Sequence, residues 1–380
     1  MKVLSISTDR KLFEENSAVL SRSLDYAAKM EELHIVVFSL KKHNLAKKKI
    51  GNLYMYPTNS SFRIFYLKDA IKIAKKIIIK NGLNKGDFVI TTQDPFETGL
   101  AGYKLKRKFN FPLQIQIHTD FLSPYFKNSF LNRIRVVLAK FLIPKADSLR
   151  VVSSVISDSV KKEFPNLKPA INILSVFVDT DKIMNTTITK NIKDDFPQLQ
   201  LVILMVSRLT REKNINIALQ IMKKVKLLFP KTGLVIVGDG PEKRNLENTS
   251  NKLGLSQNVK FVGWQDNLIS YYKSADLFLL TSEYEGYGMI LIEAGTAGCP
   301  IVTTKVGIAD TDFFQNGINS FVCPVGDAEC LAGSILKLIS NQSKRESFGR
   351  EIQQSVKSIS ISREDYIVRY VSLLENLLRK

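Results

Sequence analysis

Three observations predict an α/β fold built from two doubly wound, Rossmann-like domains. Short apolar runs alternate with longer amphipathic stretches along the whole chain, which is the pattern of βα units around a parallel sheet. At 380 residues the chain is long enough for two domains, each with its own core. The polar stretch from Asn185 to Asp195 interrupts the alternation and reads as an interdomain linker.

The first half is expected to carry strands near 2–7, 33–39, 52–56, 87–92, 112–118, 148–153 and 171–177, with helices near 14–30, 63–80, 96–108, 129–142 and 154–163. The opening Met1-Lys-Val-Leu-Ser-Ile-Ser7 is too short an apolar run for a signal peptide and reads as a first buried strand. The helix Ser129–Leu142 has Arg133, Arg135 and Lys140 interspersed. It is compatible with lying on a bilayer, but its spacing favours a core-facing helix. The second half is expected to place strands near 201–206, 233–237, 258–262, 276–281, 300–304 and 320–323, and a last helix near 362–378.

One stretch carries most of the chemistry. The apolar strand Leu277–Thr281 leads into Glu285-Gly-Tyr-Gly-Met-Ile-Leu-Ile-Glu293. Gly286 and Gly288 let the backbone approach a ligand closely around Tyr287 and Met289. The helix starting near Met289 presents a positive N-terminus suited to a phosphate. Glu285 and Glu293 would repel a bare phosphate but suit the hydroxyls of a ribose and a sugar. Together these groups ask for a nucleotide-sugar. A glycine pair before a helix is also how an ordinary turn is built, so the neighbouring strand ends matter. After the strand at 201–206 come Arg208, a planar fork for phosphate oxygens, and Lys213, a mobile point charge. After the strand at 233–237 comes Gly238-Asp-Gly240-Pro-Glu242, whose glycines permit a tight turn with exposed amides. Three such strand ends would converge at the carboxyl edge of one parallel sheet.

These residues resemble the retaining family-four glycosyltransferases of GT-B fold, known as glycosyl transferases group 1. The resemblance rests on Ser207-Arg-Leu-x-x-x-Lys213, Val237-Gly-Asp-Gly-Pro-Glu242, Glu285-x7-Glu293, Gly298-Cys-Pro-Ile-Val302 and Asn316–Pro324 with Asp327, in order across roughly residues 200 to 330. It implies two Rossmann-like domains facing a central cleft. Residues 1–187 would bind the acceptor, 196–361 the nucleotide-sugar, and 362–380 would form a helix crossing back to the first domain. It also implies that Arg208 and Lys213 hold the donor diphosphate, that Glu293 binds ribose hydroxyls and that Glu285 lies beside the transferred sugar. His118, at the end of the strand Pro112–Ile117, matches a histidine that hydrogen-bonds the donor sugar; a structural histidine is the alternative. The chain departs from many relatives after the first strand, where a glycine-rich loop is replaced by Ser7-Thr-Asp-Arg-Lys-Leu-Phe-Glu-Glu15, with Asp9 or Arg10 as possible substitutes.

The expected reaction is transfer of a hexose-type sugar from a nucleoside diphosphate to a hydroxyl of a glycan or lipid-linked acceptor, with retention. A nucleotide-sugar epimerase or hydrolase, or a catalytically silent nucleotide-sugar-binding scaffold, are the alternatives. No cofactor and no metal are expected. Asp179-Thr-Asp181 and Asp310-Thr-Asp312 have a metal-binding form but fall in the interdomain segment and in a loop. Trp264 suits either a nucleobase border or simple packing.

Charge and cysteine content complete the expectations. Residues 1–190 hold 32 Lys and Arg against 16 Asp and Glu, net +16, whereas the remainder carries net +3 of the total +19. The amino half therefore faces something anionic, with Lys41, Lys42, Lys47, Lys48 and Lys49 as its densest cluster. An anionic membrane carrying a lipid-linked acceptor, an acidic glycan and a plain solvated loop are the three readings. Nucleic acid is not expected, because no basic helix-turn-helix, stacking motif or zinc module is visible. No window approaches the ~20 apolar residues that cross a bilayer. Cys299, Cys323 and Cys330 give neither a metal pair nor an even disulfide set, so a reducing compartment is expected. That suggests a cytoplasmic protein, peripheral at the inner face of the membrane under the first of those three readings.

Overall fold

The computed structural model describes residues 1–82 and 86–379. The chain forms two compact units, Met1–Ser175 with Ser362–Lys380, and Val176–Ile361.

The first unit contains β1 (Lys2–Ser7), α1 (Ala18–Ala28), β2 (Glu32–Val37), β3 (Lys48–Ile50), β4 (Leu53–Pro57), α2 (Tyr66–Lys80), β5 (Phe88–Thr92), α3 (Glu97–Phe109), β6 (Leu113–Ile117), α4 (Phe130–Leu142), β7 (Ser148–Val151), α5 (Ser154–Glu163) and β8 (Ala170–Ile173). Its sheet runs β3-β4-β2-β1-β5-β6-β7-β8. Every pair is parallel except the β3–β4 hairpin at one edge, which the sequence reading missed. Three residues, two of them lysines, make β3 too short and too polar to read as a strand. Right-handed crossovers send α2, α3 and α4 to one face, where α3 packs against both neighbours. They send α1 to the other face. The four central strands β1, β2, β5 and β6 are buried on both sides, which explains their continuous apolar or Thr- and Gln-bearing runs.

The second unit contains α6 (Thr180–Asn185), α7 (Ile192–Asp195), β9 (Leu201–Val206), α8 (Ile215–Leu228), β10 (Thr232–Val237), α9 (Lys243–Lys252), β11 (Val259–Gly263), α10 (Ile269–Ser274), β12 (Leu277–Leu280), α11 (Met289–Thr296), β13 (Ile301–Thr304), β14 (Phe321–Cys323), α12 (Ala328–Ile339) and α13 (Gln342–Ile359). All six strands are parallel, in the order β11-β10-β9-β12-β13-β14. Strand periodicity divides the core between the two faces. Ile203 and Met205 pack with α8 and α12, whereas Val202, Leu204 and Val206 pack with α11 and α13.

The last helix, α14 (Arg363–Leu378), belongs to the first unit. Tyr370 stacks on Tyr26 of α1 at 4.2 Å between ring centroids. Arg363 donates to Asp25 at 2.7 Å and to Ser21 at 2.6 Å, so α14 covers the same face as α1.

The structure corrects three expectations. The stretch from Asn185 to Asp195 is not a free linker, because it folds with the second unit. Thr189 and Ile192 donate backbone amides to Ser270 and Ser274, and Lys193 pairs with Asp276. The boundary falls at Ser175, not near 187–196. Cys323 and Cys330 form a disulfide; an odd cysteine count hid the pair, which a strand–turn–helix return brings to a Cα separation of 5.8 Å. Cys299 remains a buried free thiol, its pKa raised by burial. Finally, α4 buries only Val136, Ala139 and Leu142, so most of its apolar surface does not face the core.

Candidate nucleotide-sugar site

In the second unit the strand order reverses between β9 and β12, one branch running on to β11 and the other to β14. The carboxyl ends of two strands at such a switch point open a crevice where α/β proteins bind ligands. The loops after β9 and β12 carry Arg208, Lys213 and Glu285, and they are stitched together. Glu283 donates its amide to Glu212 O at 2.8 Å. Thr281 Oγ1 donates to Lys213 O at 2.9 Å. Lys213 Nζ meets Glu285 Oε1 at 2.5 Å, and Ser282 Oγ donates to the same oxygen at 2.8 Å. Both members of this ion pair are only 12% and 13% exposed. Lys213 is therefore held in place and half-neutralised before any ligand arrives. Arg208 is the opposite case: its side chain is 74% exposed, with Glu212 no nearer than 3.9 Å. It is free to close on an anion.

The loop Glu285–Gly288 leads into α11 through Gly288, whose φ of 91° is in the left-handed region that favours glycine. A second loop braces it. Ile308 donates its amide to Tyr287 O at 2.7 Å, and a Cβ on Gly307 would lie 2.6 Å from that same oxygen. Glu293 sits one turn into α11, where Tyr272 Oη donates to its Oε2 at 2.8 Å. Burial pushes the Glu293 pKa up, and the Tyr272 hydrogen bond opposes the shift. Tyr272 and Gly307 were missed in the sequence, since a lone tyrosine and a lone glycine carry no spacing signal.

Gly238 and Gly240 act differently from the expectation. Their amides are already used, by Gly263 O at 2.8 Å and by Asp239 Oδ1 at 2.7 Å. A Cβ on Gly238 would lie 1.9 Å from Ser207 O. The glycines let the β10 loop press against the Ser207–Leu209 backbone that carries Arg208. Trp264 is 59% exposed, and its Nε1 donates to Asp266 Oδ1 at 3.2 Å. Asp179 Oδ1 accepts from Lys182 N at 2.9 Å as a helix cap, and Asp310 pairs with Lys305 at 3.2 Å. Among the described residues, no cluster of three or more His, Cys, Asp or Glu side chains is placed to hold a metal.

In the first unit, His118 follows β6 and is half-buried. Its Nε2 lies 3.0 Å from Gln116 Oε1. Burial and the nearby Arg150 charge push its pKa down to about 3. Asp9 caps the turn after β1 by accepting from Lys11 N at 3.1 Å. His34 is buried between Glu32 and Tyr56 and is structural. In the lysine cluster, Lys47 and Lys49 lie over the rings of Tyr56 and Tyr54 at 4.7 and 4.9 Å, and Lys48 donates to Phe13 O at 3.3 Å. Lys41 and Lys42 are exposed. No helix among the described residues is long and apolar enough to cross a membrane.

Comparison with known proteins bears on the fold and the family. The chain is 28% identical over 178 residues to N-acetyl-alpha-D-glucosaminyl L-malate synthase of Bacillus anthracis, covering 47% of this chain and 46% of that protein. The chain spans about half the length of the first curated relatives it matches, 46% and 49%. Sucrose-phosphate synthase of Thermosynechococcus elongatus superposes with a TM-score of 0.84 at 18% identity over 100% of both chains. HepE of Anabaena in complex with UDP-glucose superposes with a TM-score of 0.75 at 19% identity, over 98% of this chain and all of that one. At such identities the superpositions establish the fold, GT-B. Residues 188–355, which lie within the second unit, match the family model Glycosyl transferases group 1, so it is this unit that carries the family's signature.

Proposed function

We propose that the protein is a retaining glycosyltransferase that moves a hexose-type sugar from a nucleoside-diphosphate sugar to a hydroxyl of a glycan or lipid-linked acceptor. The observation that carries this reading is the junction of Lys213 and Glu285 at the β9–β12 switch point, with Arg208 free beside it and α11 beginning just after. The diphosphate takes the Arg208 fork, Lys213 and the α11 N-terminus. Glu293, preset by Tyr272, takes the ribose hydroxyls, and Glu285 meets the sugar. In the reaction the bond from the anomeric carbon to the diphosphate oxygen breaks, and the bond to the acceptor oxygen forms on the same face. The acceptor proton passes to the leaving phosphate oxygen, so no side-chain base is needed. Arg208 and Lys213 stabilise the charge that grows on the leaving group, which makes the reaction independent of a metal. His118 accepts a substrate hydroxyl through Nδ1.

UDP-glucose, the ligand in the HepE complex, is the first donor to test, and a thermal-shift screen of nucleotide-sugars extends the choice. The lysine cluster 41–49 supplies positive charge for an anionic part of the acceptor. Purified protein is incubated with the donor, with and without candidate acceptors, and released nucleoside diphosphate is measured. Acceptor-dependent release supports transfer. Acceptor-independent release or epimerised donor would favour a hydrolase or an epimerase. Donor binding without any turnover would favour a silent scaffold.

A further inference from the structure

We infer that helix α4 is an interfacial docking element that seats the amino-terminal unit on an anionic lipid bilayer. Phe130, Ile134, Val137 and Phe141 are 79%, 50%, 69% and 49% exposed. At 100° per residue these four fall within about 60° of arc, and they run for about 16 Å along the helix. The core takes the opposite side of the helix, through Val136, Ala139 and Leu142. This is a continuous exposed apolar ridge, with Phe141 at its end edge-on to the Tyr103 ring at 5.8 Å, and Leu131 widens it at 54% exposure. Surface patches of this kind mark contact sites.

Charge identifies the occupant. Residues 121–146 contain Lys127, Arg133, Arg135, Lys140 and Lys145 and no acidic residue. Arg135 is paired to Glu97, and Lys140 to Glu163. Lys127, Arg133 and Lys145 have no carboxylate partner among the described residues. Lys145 lies over the Phe141 ring at 4.1 Å, and Arg133 lies beside the ridge on the helix. An apolar stripe with basic flanks is the makeup of a helix lying in the interface of an anionic membrane. The large side chains are about half or more exposed, which suits insertion between headgroups. A second copy of the chain is a poor occupant, because a symmetric contact would oppose the same basic residues. The lysine cluster is a separate feature. Five strand spacings of about 4.8 Å separate β3 from β6, so the cluster lies roughly 24 Å along the sheet from the strand that leads into α4.

The inference does not depend on the transferase reading, and neither does its test. The full chain is co-sedimented with vesicles of phosphatidylcholine alone or mixed with phosphatidylglycerol. Wild type should pellet with the anionic vesicles, weaken with salt and retain a salt-resistant part from the apolar ridge. The surface variant Phe130→Ser/Val137→Ser should lose roughly tenfold or more of the partitioning, with an unchanged circular dichroism spectrum. Arg133→Glu should lose binding to anionic vesicles specifically. Lys41→Glu/Lys42→Glu should lose little. The inference is overturned if the double serine variant pellets like wild type, if wild type does not pellet at low salt, or if only the lysine variant loses binding. It is also overturned if wild type is a dimer that the double serine variant dissociates.

Discussion

Arg150 and His118 converge on one acceptor: Gln116 Oε1 lies 2.8 Å from Arg150 Nη1 and 3.0 Å from His118 Nε2. Because arginine can only donate, the amide oxygen is fixed toward it, and the histidine nitrogen facing that oxygen must carry its proton. The other face of Gln116 agrees, since its Nε2 donates to Thr91 Oγ1 at 2.9 Å and to Tyr370 Oη at 3.3 Å. A neutral ring protonated on Nε2 leaves Nδ1 bare. His118 is thus set as an acceptor, which suits a hydroxyl and does not suit proton donation to a leaving group.

The same geometry gives a pH signature. The His118 pKa is lowered to about 3 in the folded chain, against about 6.5 when unfolded. Between those values the unfolded state binds the extra proton, so stability rises with pH across the window and falls as pH drops through it. Denaturant midpoints of wild type and His118→Asn measured from pH 7 to pH 4 should diverge, with wild type losing more. Parallel curves would show that the ring titrates normally.

Tyr370 ties the last helix to this network. It is buried, stacked on Tyr26 and within reach of Gln116. Tyr366 Oη accepts from Arg150 Nη2 at 2.7 Å. Replacing Tyr370 with Ala should cost about 3–5 kcal/mol. The loss should fall on the unfolding of the amino-terminal unit, read by urea melts that resolve two transitions. Loss confined to the other transition would contradict the packing.

Arg208 and Lys213 should separate in a way that a shared phosphate role alone does not predict. Arg208→Ala removes an exposed side chain and should leave stability unchanged, while turnover falls about 10²–10³-fold. Lys213→Met strands a nearly buried Glu285 carboxylate and should also cost about 1–3 kcal/mol of stability. Adding Glu285→Gln should recover part of that stability but not the rate. Melting temperatures and steady-state rates on the four proteins test this. Equal stabilities of both single variants would remove the ion pair from the argument.

Activity should survive chelation. Asp179 is spent on capping α6 and Asp310 on pairing with Lys305, while in the proposed reaction leaving-group charge has Arg208, Lys213 and a helix N-terminus to receive it. Rates with EDTA, before and after added magnesium or manganese, are the check. A loss restored by either ion would assign one of these carboxylates to a metal.

The strands and the motif residues were legible because their signals are local. β9, β10 and β12 are apolar runs closed by polar loops, and Arg208, Lys213, Glu285 and Glu293 stand at fixed offsets from them. What was not legible depends on partners distant in sequence. The Gly238 amide looks free until Gly263 O, 25 residues on, is seen to take it. Tyr272 becomes a site residue only because α10 packs against α11. The ridge on α4 failed for a related reason. Periodicity marks an apolar stripe, but α4 has apolar residues on both sides, and the sequence cannot say which side meets the sheet.

Glu293 and Glu285 should respond differently to isosteric replacement. Glu293 is buried with its pKa raised, so the folded state holds its proton to higher pH than the unfolded state does. Stability is therefore lost as pH rises through that raised range and stays lost above it. Glu293→Gln removes the penalty and should be more stable than wild type at pH 8, with the advantage shrinking toward pH 4. In the proposed donor site the same change removes the ionised acceptor for ribose hydroxyls, so nucleoside-diphosphate affinity should fall. Glu285→Gln gains no such stability, because its carboxylate already has Lys213 and Ser282 as partners. It should mainly lower turnover through the place beside the sugar proposed for it. Thermal melts across pH, with calorimetric titration of nucleoside diphosphate, separate the two. Equal losses of affinity in both variants, or a Glu293→Gln protein no more stable than wild type at pH 8, would reject this division of roles.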